Sequence, residues 1–298
     1  MKRWLRYGLL LALTASFATA QVDNAYETPA GSNLHVVLIG GINKDPEEIR
    51  SKDRAISRLG QYFVQQVGID SANLAVLAAP DSFVSGITGA STKEGIVAAF
   101  SRLHSLTPND QLVIYFAGQA NIIGDELRLN IPGPDLTHVE LAALLAPLNP
   151  GQLTVVLDCP GAGLAAEALA GPNRILIYSA RSDQPVSTRF SDYFVPALML
   201  PDSDVNGDGT TTLLEAFQYT VQQIDALFRD QNLMKSENAL LEDSGDATPS
   251  QQPWTYQESG NDGAVAATIA VDTWDLCYTA TEAVNTVQPS TEEEGVTP

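Results

Sequence analysis

Two stretches limit what this chain can fold into. Gln111-Leu-Val-Ile-Tyr-Phe-Ala-Gly-Gln-Ala120 and Leu153-Thr-Val-Val-Leu-Asp-Cys-Pro-Gly-Ala-Gly163 each run as near-continuous apolar residues straight into a glycine turn. A strand with one wet face alternates apolar and polar residues, whereas a strand covered by helices on both faces does not. Both stretches therefore read as interior strands of a mainly parallel sheet. Leu34-His-Val-Val-Leu-Ile-Gly-Gly41 is a third of the same kind, and Asn73–Ala78 and Arg174–Ala180 complete five.

Helical spacing fills the intervals. Ile49, Ala55, Ile56, Leu59, Phe63 and Val64 place one apolar face on a helix over 45–66. Ser91-Thr-Lys-Glu94 and Thr137-His-Val-Glu140 have the form of capping boxes, opening helices through about Leu106 and Leu148. Glu126–Ile131 reads as a short strand and Ala162–Ala170 as a small-residue helix. Strands alternating with helices predict an α/β domain whose ligands bind beyond the carboxyl ends of the strands. Gly40-Gly41, Gly118-Gln119 and Cys159-Pro160 all fall at such ends.

The chain opens with Met1-Lys2-Arg3-Trp4-Leu5-Arg6, an apolar run from Tyr7 to Phe17, and Ala18-Thr19-Ala20. That order has the form of a cleaved secretory signal over 1–20, giving an exported protein, periplasmic or secreted, with no membrane span after signal removal. A polar leader over 21–32 follows. Loss of Lys2, Arg3 and Arg6 leaves 13 basic residues against 36 acidic ones and moves the net charge from −20 to −23. So acidic a surface repels nucleic acid. The two cysteines, Cys159 and Cys277, could pair in an oxidising compartment, though spacing alone does not bring them together.

After Phe194 the pattern changes. A short helix over 193–200 leads into Asp204-Val-Asn-Gly-Asp-Gly-Thr-Thr-Thr-Leu-Leu-Glu215, which matches the calcium loop D-x-[DN]-x-[DN]-G-x5-E throughout. A hard cation needs six or more oxygens. Asp204, Asn206 and Asp208 offer side-chain oxygens, Thr210 a carbonyl, Thr212 the water-mediated position and Glu215 a bidentate closure. A single structural calcium site is expected, continuing into a long helix over 212–232 whose apolar face carries Leu213, Phe217, Val221, Ile224 and Phe228. Residues 236–263 read as loop, and 248–278 as an irregular C-terminal segment. Ala264–Val271 reads as a further strand or a tether, and 279–298 as a disordered acidic tail.

Chemistry at the strand ends is scant. A nucleophilic cysteine needs a thiolate and usually a histidine base. The three histidines, His35, His104 and His138, lie inside a strand or on predicted helices, none at a strand's carboxyl end. Gln119 cannot titrate, and Pro160 fixes the backbone beside Cys159. Asp158, Ser179, Arg181 and Asp183 are the other polar residues at this edge.

In order along the chain, the two strand ends, Ile131-Pro-Gly-Pro-Asp-Leu-Thr137, Ile177-Tyr-Ser-Ala-Arg181, Leu214-Glu-Ala-Phe217 and Glu237-Asn-Ala-Leu-Leu-Glu-Asp-Ser-Gly-Asp246 resemble exported bacterial proteins of the caspase and legumain superfamily of cysteine peptidases. The resemblance spans 33–247. It implies a caspase-like α/β/α sandwich with a C-terminal EF-hand-like loop, and a family activity of peptide-bond hydrolysis through a Cys–His dyad. In register with that family, the histidine position reads Gln119 and the nucleophile position reads Pro160, with Ala120 and Ala162 in place of further motif residues. With these departures the reading is a pseudopeptidase that binds a peptide or protein in a cleft including Gly118, Gln119, Ser179 and Arg181, with Ca2+, from the 204–215 motif, as its cofactor. The alternatives are an active cysteine endopeptidase with Cys159 as displaced nucleophile, and a structural calcium-binding envelope protein.

Overall fold

The computed structural model describes residues 34–255 and 262–275. The expected signal sequence over 1–20, the expected polar leader over 21–32, Cys277 and the expected acidic tail over 279–298 lie outside the described residues.

Seven strands form the central sheet: β1 (Leu34–Gly40), β2 (Leu74–Ala78), β3 (Gly89–Ala90), β4 (Gln111–Ala117), β8 (Gln152–Asp158), β9 (Arg174–Tyr178) and β10 (Leu240–Glu242), in the order β10-β9-β8-β4-β1-β2-β3. All neighbours are parallel except β10, which runs antiparallel to β9 with Leu241 opposite Ile177. A small antiparallel sheet, β5 (Ala120–Ile123), β6 (Glu126–Leu129) and β7 (Leu136–Thr137), rises from the end of β4. The short strand expected over 126–131 is β6; β3, β5, β7 and β10 were not expected from the sequence.

Strand periodicity sorts the core into two layers. Val36, Leu38, Val113, Tyr115, Val156 and Ile177 point to one face and pack under α1 (Pro46–Tyr62), α5 (Phe190–Ala197) and α6 (Leu213–Asp230). Val37, Ile39, Ile114, Phe116, Val155 and Leu157 point to the other and pack under α2 (Lys93–Ser101), α3 (His138–Leu145) and α4 (Ala166–Leu169). The mixed α/β fold with a mostly parallel sheet and helices on both faces is therefore as the apolar runs predict. Among the described residues no helix is long and apolar enough to cross a membrane.

The helix starts follow local chemistry. Asp45 caps α1, its side chain accepting from the Glu47 amide, with Pro46 in the first turn. Thr137 and Glu140 form the expected capping box on α3. At α2 the cap is Thr92, whose hydroxyl accepts from Gly95, and not Ser91, whose buried hydroxyl has no partner. The register differs by one because Ser91 is held at the end of the β2–β3 edge by the hydrogen bond that its N–H donates to the Ala78 carbonyl.

Candidate functional site

The strand ends come together as expected, but they are closed by backbone hydrogen bonds. Gly41 N–H bonds to Ala117, Gly118 N–H to Asp158, Gln119 N–H to Ile42, and Gly161 N–H to Gln184, each at 2.9–3.1 Å. An oxyanion site needs amide N–H groups aimed at open space. These four are spent inside the fold. Packing adds to the closure: a Cβ at Gly118 would stand 2.8 Å from the Gly41 Cα, and one at Gly41 would stand 2.7 Å from the Phe116 ring.

Gln119 donates from Nε2 to Glu48 Oε2 at 2.8 Å and to Ser187 Oγ at 2.5 Å. The side chain bridges α1 to the loop following β9 and offers no base. Pro160 is buried, and Cys159 is wholly buried among the α3–α4 layer. Burial pushes the Cys159 thiol far above its ordinary range, and the Asp158 carboxylate adds to the shift against an opposing contribution from Lys52. A thiol so held does not ionise near neutral pH, so it lacks the nucleophilic form.

Beneath the strand end lies a charge network that the sequence did not announce. Lys52, on the inward face of α1, donates from Nζ to Asp158 Oδ2 at 2.7 Å, to the Thr188 carbonyl at 3.1 Å, and to the Thr188 and Ser191 hydroxyls at 3.3 Å. Thr188 Oγ1 donates to the other Asp158 oxygen at 2.6 Å. Both charges are buried, and the pair is matched by hydrogen bonds at both ends, the arrangement that a buried ion pair needs to offset its desolvation. Glu237, also buried, accepts the Arg189 amide on Oε2 at 2.8 Å, while its Oε1 has no partner. Burial, with the Asp158 charge adding, pushes its carboxyl up to about 7. The signal for Lys52 was present: it stands three residues after Ile49 and four before Ile56, inside the apolar stripe of α1.

The remaining candidates separate. Ser179 is fully buried and donates to the Cys159 carbonyl at 3.1 Å, so it ties two strands and is closed to a ligand. Arg181 is exposed and holds Asp183 through Nε and Nη2 at 2.9 and 2.6 Å. Of Gly118, Gln119, Ser179 and Arg181, only Gln119 and Arg181 reach the surface. However, Ile42, whose carbonyl accepts the Gln119 amide, Ile122, which lies against Gly161, and Val186, next to Ser187, are exposed. A groove of about 330 Å³ lies elsewhere, between the C-terminal halves of α1 and α5, lined by residues including Arg58, Gln61, Met199 and Leu200.

The 204–215 segment folds as a tight loop. Asp204 Oδ1 accepts from the Gly207 and Asp208 amides, Asn206 Oδ1 from Asp208, and Asp208 Oδ1 from Thr210. Gly207 and Gly209 take φ of +75° and +93°, which favours glycine at both. Glu215 caps back onto Thr212 and also accepts the Asn206 amide at 3.1 Å, drawing the first and last parts of the loop together. The loop is stitched to the C-terminal segment through Leu213 N–H to Ile269 O and Val271 N–H to Thr211 O. Among the described residues no group of three or more His, Cys, Asp or Glu side chains is arranged to hold a metal ion. The Asp204 and Glu215 carboxylates are turned to backbone and hydroxyl donors.

No family model matches the chain, and no curated protein matches it in sequence. Among solved structures it is similar to protein GSU0716 from Geobacter sulfurreducens, at 12% identity and a TM-score of 0.47, over 70% of this chain and 92% of that one.

Proposed function

We propose that this chain is an exported, non-catalytic protein of the caspase and legumain type, which binds a peptide or protein segment over its sheet's carboxyl edge and is stabilised by calcium at the 204–215 loop. The observation that carries this reading is the occupation of the dyad region by a structural network: Gln119 held by Glu48 and Ser187, above Asp158 held by Lys52 and Thr188. A base and a nucleophile are replaced by groups whose hydrogen bonds are satisfied within the fold. The exposed Ile42, Ile122 and Val186 beside Gln119 support an apolar contact with a ligand segment.

The donor set of the loop fits calcium. Asp204, Asn206, Asp208 and Glu215 would supply side-chain oxygens and Thr210 a carbonyl, on a turn that already carries the two positive-φ glycines. When bound, the ion supplies a positive centre that draws these oxygens together and fixes the start of α6.

The deciding experiment is a fluorogenic peptide-library assay of the mature protein and of Cys159→Ala, with and without calcium. No turnover in either is expected. Turnover lost in Cys159→Ala would overturn the reading in favour of an endopeptidase with a displaced nucleophile. Photo-crosslinking from position 119 in an envelope extract, compared with Ile122→Asp, tests the binding role. Equal labelling in both leaves only a structural calcium-binding protein.

A further inference from the structure

The segment Glu242–Ser250 repeats the backbone chemistry of the Asp204–Thr212 loop, although its sequence does not match the calcium pattern. Counting Glu242 as position one, its Oε1 accepts the amides of positions four and five, Gly245 and Asp246, as Asp204 Oδ1 accepts those of Gly207 and Asp208. Ser244 Oγ accepts the Asp246 amide at 3.4 Å, and Asp246 Oδ1 accepts the Thr248 amide at 2.7 Å, in the places of Asn206 and Asp208. Positive φ falls at the same two positions, +83° at Gly245 and +64° at Ala247. Position nine is a hydroxyl in both loops. Thr212 Oγ1 donates to Glu215 at 2.9 Å, and Ser250 Oγ donates to Asp262 at 2.7 Å. Asp262 thus takes the closing place of Glu215, but it arrives from a later segment, which is why a motif of fixed spacing does not find it.

Two observations beyond loop shape point to a ligand. In the first loop, Asp204 Oδ2 is occupied by the Gly209 amide at 2.8 Å. In the second, Glu242 is wholly buried and its Oε2 has no hydrogen-bond partner, while Oε1 on the same carboxylate is held at the turn of the loop. Glu242, Asp243 and Asp262 are moreover buried together, and among the described residues no Lys or Arg forms an ion pair with any of them. Asp243 is already committed: it accepts the Gly263, Val265 and Ala266 amides and so carries the Asp262 segment to the loop.

We propose that Glu242, Ser244, Asp246, the Thr248 carbonyl and Asp262 form a second site for a divalent cation of the calcium type. The donors are all oxygens on an irregular loop, which suits a large ion of flexible coordination better than magnesium with its strict octahedron. The carboxylates converge on the ion from their present backbone donors, as the 204–215 loop requires as well. The site does not depend on the first loop binding a cation.

Calorimetric titration of the chelator-stripped mature chain with calcium, with magnesium as control, tests it. Wild type is expected to bind two calcium ions, and Glu215→Gln and Asp246→Asn one each. Asp246 is exposed and Asp262 is buried, so the variant is placed at Asp246, where the fold is least disturbed; the double variant Glu215→Gln/Asp246→Asn is expected to bind none. One ion in wild type, lost in Glu215→Gln and kept in Asp246→Asn, would overturn the second site and leave the first. One ion lost in Asp246→Asn and kept in Glu215→Gln would support the second and remove the first. No binding in wild type overturns both.

Discussion

At the carboxyl end of β8, Asp158 is buried against a lysine and a threonine hydroxyl, with two further oxygens sharing the ammonium. At the end of β10, Glu242, Asp243 and Asp262 are buried with amide N–H groups and the Ser244 and Ser250 hydroxyls as donors, and among the described residues no lysine or arginine forms an ion pair with them. The first region carries its counter-charge within its own fold, so it is set in one arrangement. The second has no such counter-charge among the described residues, so its stability is expected to depend on the solution. A strand end of one fold can be made inert or responsive by where a single basic side chain falls.

That contrast is broken most directly at Lys52. Lys52→Met leaves the Asp158 carboxylate buried without a counter-charge, and chemical denaturation at pH 7 should show a loss of about 3–5 kcal/mol. A loss below about 1 kcal/mol would mean that the pair is not the centre of the network.

Glu237 sharpens the comparison, because it lies beside the matched pair yet has an unpartnered oxygen. Its folded carboxyl is raised to about 7 from an ordinary value near 4.5. The folded state therefore binds the proton more tightly. The stability contribution is present in full below pH 4.5 and is lost as pH rises to about 7, a change of about 3 kcal/mol. Stability curves of wild type and Glu237→Gln should diverge over that window, the variant losing less with rising pH. Parallel curves would refute the shift.

At the two proposed calcium sites the expected effect is set by mass action. Free calcium at about 100 times Kd should stabilise the protein by about 2.7 kcal/mol per site, and Glu215→Gln should remove one such increment. Melting that ignores both calcium and chelator would sink the assignment. The smallest effect is expected at the inert edge. Gly161 has φ +67°, and a Cβ there would meet Ile122 Cδ1 at 2.5 Å. Gly161→Ala should cost about 1 kcal/mol in backbone strain, with the part due to contact recovered by adding Ile122→Val. Full recovery would show that only the contact matters.

The sheet was legible because β1, β4, β8 and β9 are continuous apolar runs, a pattern set by burial on both faces. β10 was not: Leu240–Glu242 is three residues inside a polar stretch, and it becomes a strand only because β9 offers an open edge. The 204–215 loop was legible because its polar oxygens follow one another at fixed spacing. Its relative at 242–250 was hidden, since Asp262 closes it from twelve residues after Ser250. Likewise, Lys52 and Asp158 are joined across 106 residues, a pairing that only the α1–β8 packing creates. Gln119 and Pro160 were visible as residues that offer neither base nor nucleophile, but their hydrogen-bonded and buried surroundings were not.

The stitch between the 204–215 loop and the C-terminal segment has a consequence for the order of events in biosynthesis. Leu213 N–H waits for the Ile269 carbonyl, the Tyr62 hydroxyl for the Val271 carbonyl, and Trp274 Nε1 bonds back to that same hydroxyl at 2.8 Å. A chain made from its N-terminus has produced every strand of the sheet before it makes the residues that seal α1 and α6. Until Trp274 has been added, the apolar faces of Tyr62, Phe63 and α6 lack their cover, and the nascent protein presents to chaperones a surface that the finished one hides.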